Sequence, residues 1–228
     1  MQKVYFISGT MCTIDLWQFV FPNLENILPA YIDITSAHSF EDINQIILSE
    51  ISEPAIIVGF SLGGFSAMNF ATQYPKMVKK LFIVAANTNG LKEKEIQLRN
   101  STIEFLEKHS YKGISQIRIQ QFLHPDNHQN LKLIDIIKKM DADLGKDVLI
   151  RQLKATSTRI DITKEVIQLQ IPIHYIAAEN DILVKSSEIK STAKSSKKGI
   201  FVNLKNCGHM IPLEKGKALS VILNQTIT

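Results

Sequence analysis

The chain has 228 residues, enough for one sizeable hydrophobic core and short for two independent domains. Hydrophobic residues make up 45% and charged residues 21%, a balance that excludes whole-chain disorder. The net charge of +4, from 26 basic and 22 acidic residues, is mild. The densest basic stretch, residues 191–198 with Lys194, Lys197 and Lys198, has no interleaved aromatics or Gly-rich pattern and reads as a solvated helix rather than a nucleic-acid site.

Cys12 and Cys207 are the two cysteines, too few for a disulfide framework and without zinc-site spacing. Reduced, inert thiols are expected. Residues 4–7 form an apolar run too short for a signal segment, and no small-residue cleavage site follows. No stretch approaches the ~20 apolar residues of a membrane span. These features predict a cytoplasmic protein with no membrane or nucleic-acid partner, a monomer or small homo-oligomer. No metal or organic cofactor is implied.

In chain order, residues 4–7 are the first predicted strand, followed by the turn-like Ser8-Gly9-Thr10. Residues 31–34 are a weaker strand. Residues 40–51 carry apolar side chains at 40, 43, 46, 47 and 51, which is helical spacing. Residues 55–58 are a β-branched run between Pro54 and Gly59, and residues 62–74 a helix rich in small residues that ends before Pro75. Residues 81–85 are the next strand. The next seventy residues are helical in character, with predicted helices at 91–109, 114–123, 130–140 and 148–157. Strands return at 173–177 and 200–204, separated by a helix at 184–195, and a last helix covers 213–223. Buried-type strands alternating with helices predict an α/β fold: a mostly parallel central sheet flanked by helices. The helical block, residues 88–162, reads as a short cap inserted between two sheet strands of a single domain, residues 1–228.

Residues 59–64, Gly-Phe-Ser-Leu-Gly-Gly, place Gly-x-Ser-x-Gly between a buried strand and a helix. That is the context of a nucleophile elbow, where a sharp turn holds the serine hydroxyl above the sheet and glycines avoid collision across the turn. Ser61 is therefore the candidate nucleophile. A serine hydroxyl needs a base, and the base an orienting acid, in the chain order Ser, Asp or Glu, His. Of six histidines, His38 precedes Ser61, His109, His124 and His128 fall in the helical block, and His174 lies in a buried-type strand. His209 alone sits in a loop after a late strand, between Gly208 and Pro212. Asp181, at the end of the preceding strand and 28 residues before His209, is the candidate acid, with Glu179 as the fallback. The oxyanion of a tetrahedral intermediate requires two backbone N–H groups. Leu62 follows the nucleophile and supplies one. The other belongs to the loop after the first strand, where Thr10 is preferred to Met11.

Together these features resemble the α/β-hydrolase superfamily over essentially the whole chain. In that family a His-Gly pair often opens the oxyanion loop, the acid closes a Gly-x-x-Asp turn, and Gly-His precedes the last helix. The matching residues here are Ser8-Gly9, Ala178 to Asp181 and Gly208-His209, so Ser8 replaces the usual His and Ala178 the usual Gly. The chain looks closest to small bacterial carboxylesterases of the biotin-pathway type, through the loop from Cys12 to Trp17, the Phe122-Leu-His-Pro-Asp126 segment and residues 148–152. The resemblance implies a serine hydrolase cleaving a small carboxylic ester or thioester through an acyl-enzyme. Trp17, Phe60, Phe122 and Leu123 are expected to line its substrate pocket. Two other readings stand beside it. One is a lyase or synthase of menaquinone-pathway type using the same three residues, which needs basic residues such as Arg99, Arg118, Arg151 and Arg159 for a polyanionic substrate. The other is a non-catalytic binding homologue.

Overall fold

The structure is a computed structural model that describes residues 1–227. Six strands form one fully parallel sheet: β1 (Gln2–Ile7), β2 (Ile27–Ile32), β3 (Ala55–Phe60), β4 (Val78–Val84), β5 (Ile173–Ala178) and β6 (Gly199–Leu204), in the order β2-β1-β3-β4-β5-β6. The order reverses direction between β1 and β3, so the C-terminal ends of these two strands open a crevice, the place where open α/β sheets put their sites.

Strand periodicity explains why the sheet must be covered on both faces. Tyr5, Ile7, Ile57, Leu81, Ile83, Ile173 and Tyr175 face one apolar layer, and Val4, Phe6, Ile56, Val58, Phe82, Val84 and Ile176 face the other. Central strands β3 and β5 are buried at all six positions. The first layer is closed by α1 (Phe40–Glu50), α2 (Leu62–Gln73) and α7 (Ser186–Ser195). Ser39 caps α1 by accepting the Asp42 N–H. The second layer is closed by Leu16 and Trp17, by the N-terminal half of α5 (Leu131–Thr156), and by α8 (Ile211–Glu214) and α9 (Gly216–Ile227).

The sheet follows the expected pattern, with one strand displaced. The strand expected at residues 31–34 lies at Ile27–Ile32, because β2 is an edge strand and tolerates Pro29, whose missing N–H would break a central ladder. Between β4 and β5 run α3 (Glu93–Lys108), α4 (Gln116–Phe122), α5 and α6 (Thr163–Ile167). The helices expected at 130–140 and 148–157 are two arms of α5, kinked at Gly145, whose φ of 70° only glycine adopts easily. Helix α6 was not anticipated. The Ile162 N–H donates to the Thr88 carbonyl, so the ends of the inserted helical segment meet. The last helix is divided at Lys215, whose φ of −132° and ψ of 34° leave the helical region, and the following Gly216 packs against Phe19, where a Cβ would lie 2.8 Å from main-chain atoms. Among the described residues no helix is long and apolar enough to cross a membrane.

Candidate active site

The turn between β3 and α2 is forced by close packing. A Cβ on Gly59 would lie 2.4 Å from the Gly63 carbonyl oxygen, and one on Gly63 would lie 2.3 Å from the Ile7 oxygen. Only hydrogen fits at either position, so β1, β3 and α2 meet at backbone distance. Between them Ser61 takes φ 51° and ψ −113°, a strained conformation for a residue with a side chain. It is held there from both sides: its N–H donates to the Val84 carbonyl at 2.9 Å, and its carbonyl accepts the Phe65 N–H at 3.0 Å.

His209 meets this serine. Its Nε2 lies 3.0 Å from Ser61 Oγ, and its Nδ1 lies 2.7 Å from Asp181 Oδ2. The Asp181 side chain is wholly buried and that of His209 is 6% exposed, so the pair is shielded from water. Asp181 Oδ1 accepts the N–H groups of Leu183 at 2.8 Å and Val184 at 3.0 Å. The carboxylate is thus oriented by the loop that carries it, with its other oxygen left for the imidazole. Glu179 points elsewhere, accepting the Asn206 N–H at 3.5 Å. The imidazole ring rests on Phe60, centroid to centroid 5.1 Å, with Phe122 at 6.3 Å.

Backbone N–H groups cluster around Ser61. Leu62, Gly63 and Gly64 begin α2, so their N–H groups have no intrahelical acceptor and the helix dipole favours negative charge beside them. Gly9 lies against the serine: a Cβ on it would stand 3.2 Å from Ser61 Cβ. The following turn closes with the Cys12 N–H on the Gly9 carbonyl, and Met11 adopts φ 54°. The Met11 N–H is taken by Gln152 Oε1 at 2.9 Å, whereas that of Thr10 has no protein acceptor among the described residues. Ser8 braces this loop: its hydroxyl donates to the Thr13 carbonyl and accepts the Trp17 indole N–H at 3.0 Å.

The four expected pocket residues fall into different places. Phe60 and Phe122 border His209. Leu123 is buried one residue further, and its backbone packs on Gly208, where a Cβ would lie 2.6 Å from the Leu123 carbonyl carbon. Trp17 is fully buried, edge-on to Phe6 at 5.0 Å and stacked with Phe21, so with its indole N–H on Ser8 it supports the loop after β1 from beneath. Cys12 and Cys207 are buried free thiols; burial pushes the Cys12 thiol up to about 12 and raises that of Cys207 as well, which makes both poor nucleophiles.

Two residues of this neighbourhood were missed in the sequence. Glu214 on α8 accepts three donors, the N–H of Gly208 at 3.0 Å, the N–H of His124 at 2.7 Å and Asn127 Nδ2 at 2.8 Å, and so ties the His209 loop to the segment after α4. Gln152 on α5 reaches across 141 positions to Met11. A lone Glu or Gln on a helix carries no sequence signal for either contact.

No protein-family model matches the chain, and no curated protein matches it in sequence. Solved structures do match. A malate-bound thermophilic esterase from Thermogutta terrifontis superposes with a TM-score of 0.87 at 14% identity, over 100% of this chain and 89% of the other. The enol-lactonase of Burkholderia xenovorans LB400 gives 0.82 at 12%, over 99% and 91%. A lipase-esterase related protein of Clostridium acetobutylicum ATCC 824 gives 0.78 at 14%, over 98% and 93%. At these identities the likeness is one of architecture, and it is nearly complete: the chain has the α/β-hydrolase fold.

Proposed function

We propose that this α/β-hydrolase-fold protein is a serine hydrolase acting on a small carboxylic ester or thioester, with Ser61 as nucleophile, His209 as general base and Asp181 as orienting acid. The observation that carries the reading is the unbroken hydrogen-bonded line from Ser61 Oγ through the imidazole to a buried carboxylate. His209 Nε2 takes the hydroxyl proton as Ser61 Oγ attacks the carbonyl carbon. Asp181 steadies the imidazolium without taking its proton. The N–H groups of Leu62 and Thr10 receive the charge on the former carbonyl oxygen. Collapse of the tetrahedral species passes the proton from His209 to the departing alcohol or thiol and leaves Ser61 acylated. Water, activated by the same imidazole, then hydrolyses the acyl-enzyme.

The inserted segment, residues 88–162, acts in this reading as a cap on a single domain, and Phe60, Phe122 and Leu123 border the substrate. The likeness to biotin-pathway carboxylesterases adds a small bacterial esterase as the nearest type. The protein is proposed to work in the cytoplasm on a small molecule.

The test is hydrolysis of p-nitrophenyl acetate and butyrate with fluorophosphonate labelling. Ser61→Ala is expected to lower kcat by about 10⁴–10⁶-fold and to abolish labelling. Wild-type protein that neither hydrolyses these esters nor labels at Ser61 would remove the reading. Labelling without turnover would favour the lyase alternative.

A further inference from the structure

All four arginines of the chain, Arg99, Arg118, Arg151 and Arg159, fall within the inserted segment; every other basic side chain apart from histidine is lysine. Arginine is the better fork for a carboxylate or phosphate, because its planar guanidinium donates two parallel hydrogen bonds. Yet none of the four takes part in a salt bridge: the ion pairs among the described residues use only Lys139, Lys154, His124 and His209.

Three of the four are linked to residues around Ser61 through one or more intermediate contacts. The Arg159 guanidinium lies 4.0 Å from the ring centroid of Phe65, the residue whose N–H holds the Ser61 carbonyl. It donates to the carbonyls of Asn87 and Asn89 and to Asn87 Oδ1, all neutral acceptors. Arg118 lies 4.8 Å from the ring of Phe122, which borders His209. Arg99 donates to Thr156 Oγ1 at 2.5 Å, and Thr156 in turn donates to the Gln152 carbonyl at 2.7 Å. Burial, then the positive charge of Arg99, lowers Arg159 to about 10, and Arg99 is lowered by its own burial and by Arg118. Glu95 and Asp161 are the acidic groups that act on the cluster, and neither approaches within ion-pairing distance.

Gln152 supplies the second, independent observation. Its side chain is 97% buried, from an exposure of 3%, and its Oε1 is fixed by the Met11 N–H of the oxyanion loop. Its Nε2 is buried with no acceptor among the described residues. A buried amide N–H₂ left unpaired is destabilising, so such a group is one that a bound acceptor would complete. Arginines with no carboxylate at ion-pairing distance and an unpaired amide donor in the same inserted segment can all be served by one ligand chemistry, an anionic acceptor.

We infer that the cap carries an anion subsite, formed by Gln152 Nε2 with the guanidinium groups of Arg99, Arg118 and Arg159, which holds a carboxylate of the substrate while Ser61 attacks its ester. This rests on the hydrolase reading above and narrows it to esters or thioesters that bear a second, negatively charged group. Hydrolysis then yields a product with one more negative charge, and Gln152, anchored at Met11, couples occupancy of the subsite to the oxyanion loop.

The experiment compares kcat/KM for neutral aryl esters with that for charged ones of matched size: p-nitrophenyl butyrate against mono-p-nitrophenyl glutarate for the acyl side, and phenyl acetate against 4-acetoxybenzoate for the alcohol side. One of the two charged esters is expected to exceed its neutral partner. That charged-to-neutral ratio is expected to fall about ten-fold or more in Arg99→Ala and Arg118→Ala, and to be largely kept in Arg99→Lys. Gln152→Glu keeps an acceptor for Met11 but replaces the donor with a negative charge, so the ratio drops there too. The inference is overturned by a wild-type ratio at or below one for both pairs, or by a ratio that none of these variants moves. Should no ester be turned over, the hydrolase reading fails separately. Calorimetric titration of glutarate into Ser61→Ala protein then tests the subsite: binding lost in the Arg99→Ala double variant supports it, and absence of binding overturns it.

Discussion

At the residue scale, the arrangement rests on one carboxylate serving two masters. Asp181 Oδ1 holds its own loop through Leu183 and Val184, and Oδ2 faces the imidazole. Asn in its place can still accept from the two loop amides through Oδ1, but it presents an N–H₂ to His209 Nδ1 and enforces the wrong tautomer. Asp181→Asn is therefore expected to fold with an unchanged melting temperature and to lose about 10⁴-fold in kcat. Glu179→Gln, which alters a weak contact at 3.5 Å to Asn206, is expected to stay within a few-fold of wild type. Equal losses from the two would mean that the acid has been misassigned.

At the scale of elements, two loops must be held in register for the line to exist. Glu214 does this on the histidine side, where three donors converge on its carboxylate. Removing it leaves Gly208 N–H, His124 N–H and Asn127 Nδ2 without their acceptor, in a part-buried setting. Glu214→Ala is expected to cost about 1–3 kcal/mol in urea unfolding, and to lower kcat as the loop next to His209 loosens. Glu214→Gln retains one acceptor oxygen and should fall between the two. On the Ser61 side the corresponding brace is Ser8 with Trp17, buried beneath the Gly9–Cys12 turn. The Ser8 hydroxyl does both at once, accepting from the indole and donating to the Thr13 carbonyl.

At the scale of the whole molecule, the sheet imposes a pH dependence unrelated to the site. His174 lies in β5, stacked on Phe82 at 4.7 Å and 4% exposed. Burial, helped by the positive charge of Lys80, lowers it from 6.5 to about 4. Above pH 6.5 the ring is neutral in both folded and unfolded chains and costs nothing. As pH falls from 6.5 toward 4 the unfolded chain binds a proton that the folded one refuses, so stability declines, and the decline levels off once the folded ring is protonated too. The full loss amounts to about 3 kcal/mol. The unfolding free energy of wild type minus that of His174→Leu, measured by urea titration at pH 7.5, 5.5 and 4.5, should fall steadily toward acid, because only the wild type carries the ring that the fold keeps unprotonated. A difference independent of pH would show that His174 is not the group responsible.

The sequence alone determined what local sterics and burial periodicity determine. Two-sided apolar runs such as residues 55–60 force a parallel sheet covered on both faces, and Gly59 and Gly63 around Ser61 force a turn that no other residue pair permits. Chain order and loop context then singled out Asp181 and His209. Element boundaries were less legible where tertiary position overrides propensity: Pro29 is allowed in β2 because the strand lies at an edge, and Gly145 bends one helix instead of ending it. Only the tertiary structure decided which of two carboxylates meets the imidazole and which of two amides in the Gly9–Cys12 turn remains unclaimed. It also turned Trp17 into a support beneath that turn, carried Gln152 to Met11, and set Arg99 on Thr156, Arg118 on Phe122 and Arg159 on Phe65. The reason is one of range: a turn or a strand is written within a few neighbouring residues, whereas a hydrogen bond spanning 141 positions depends on where the folded sheet and its inserted helices carry each end.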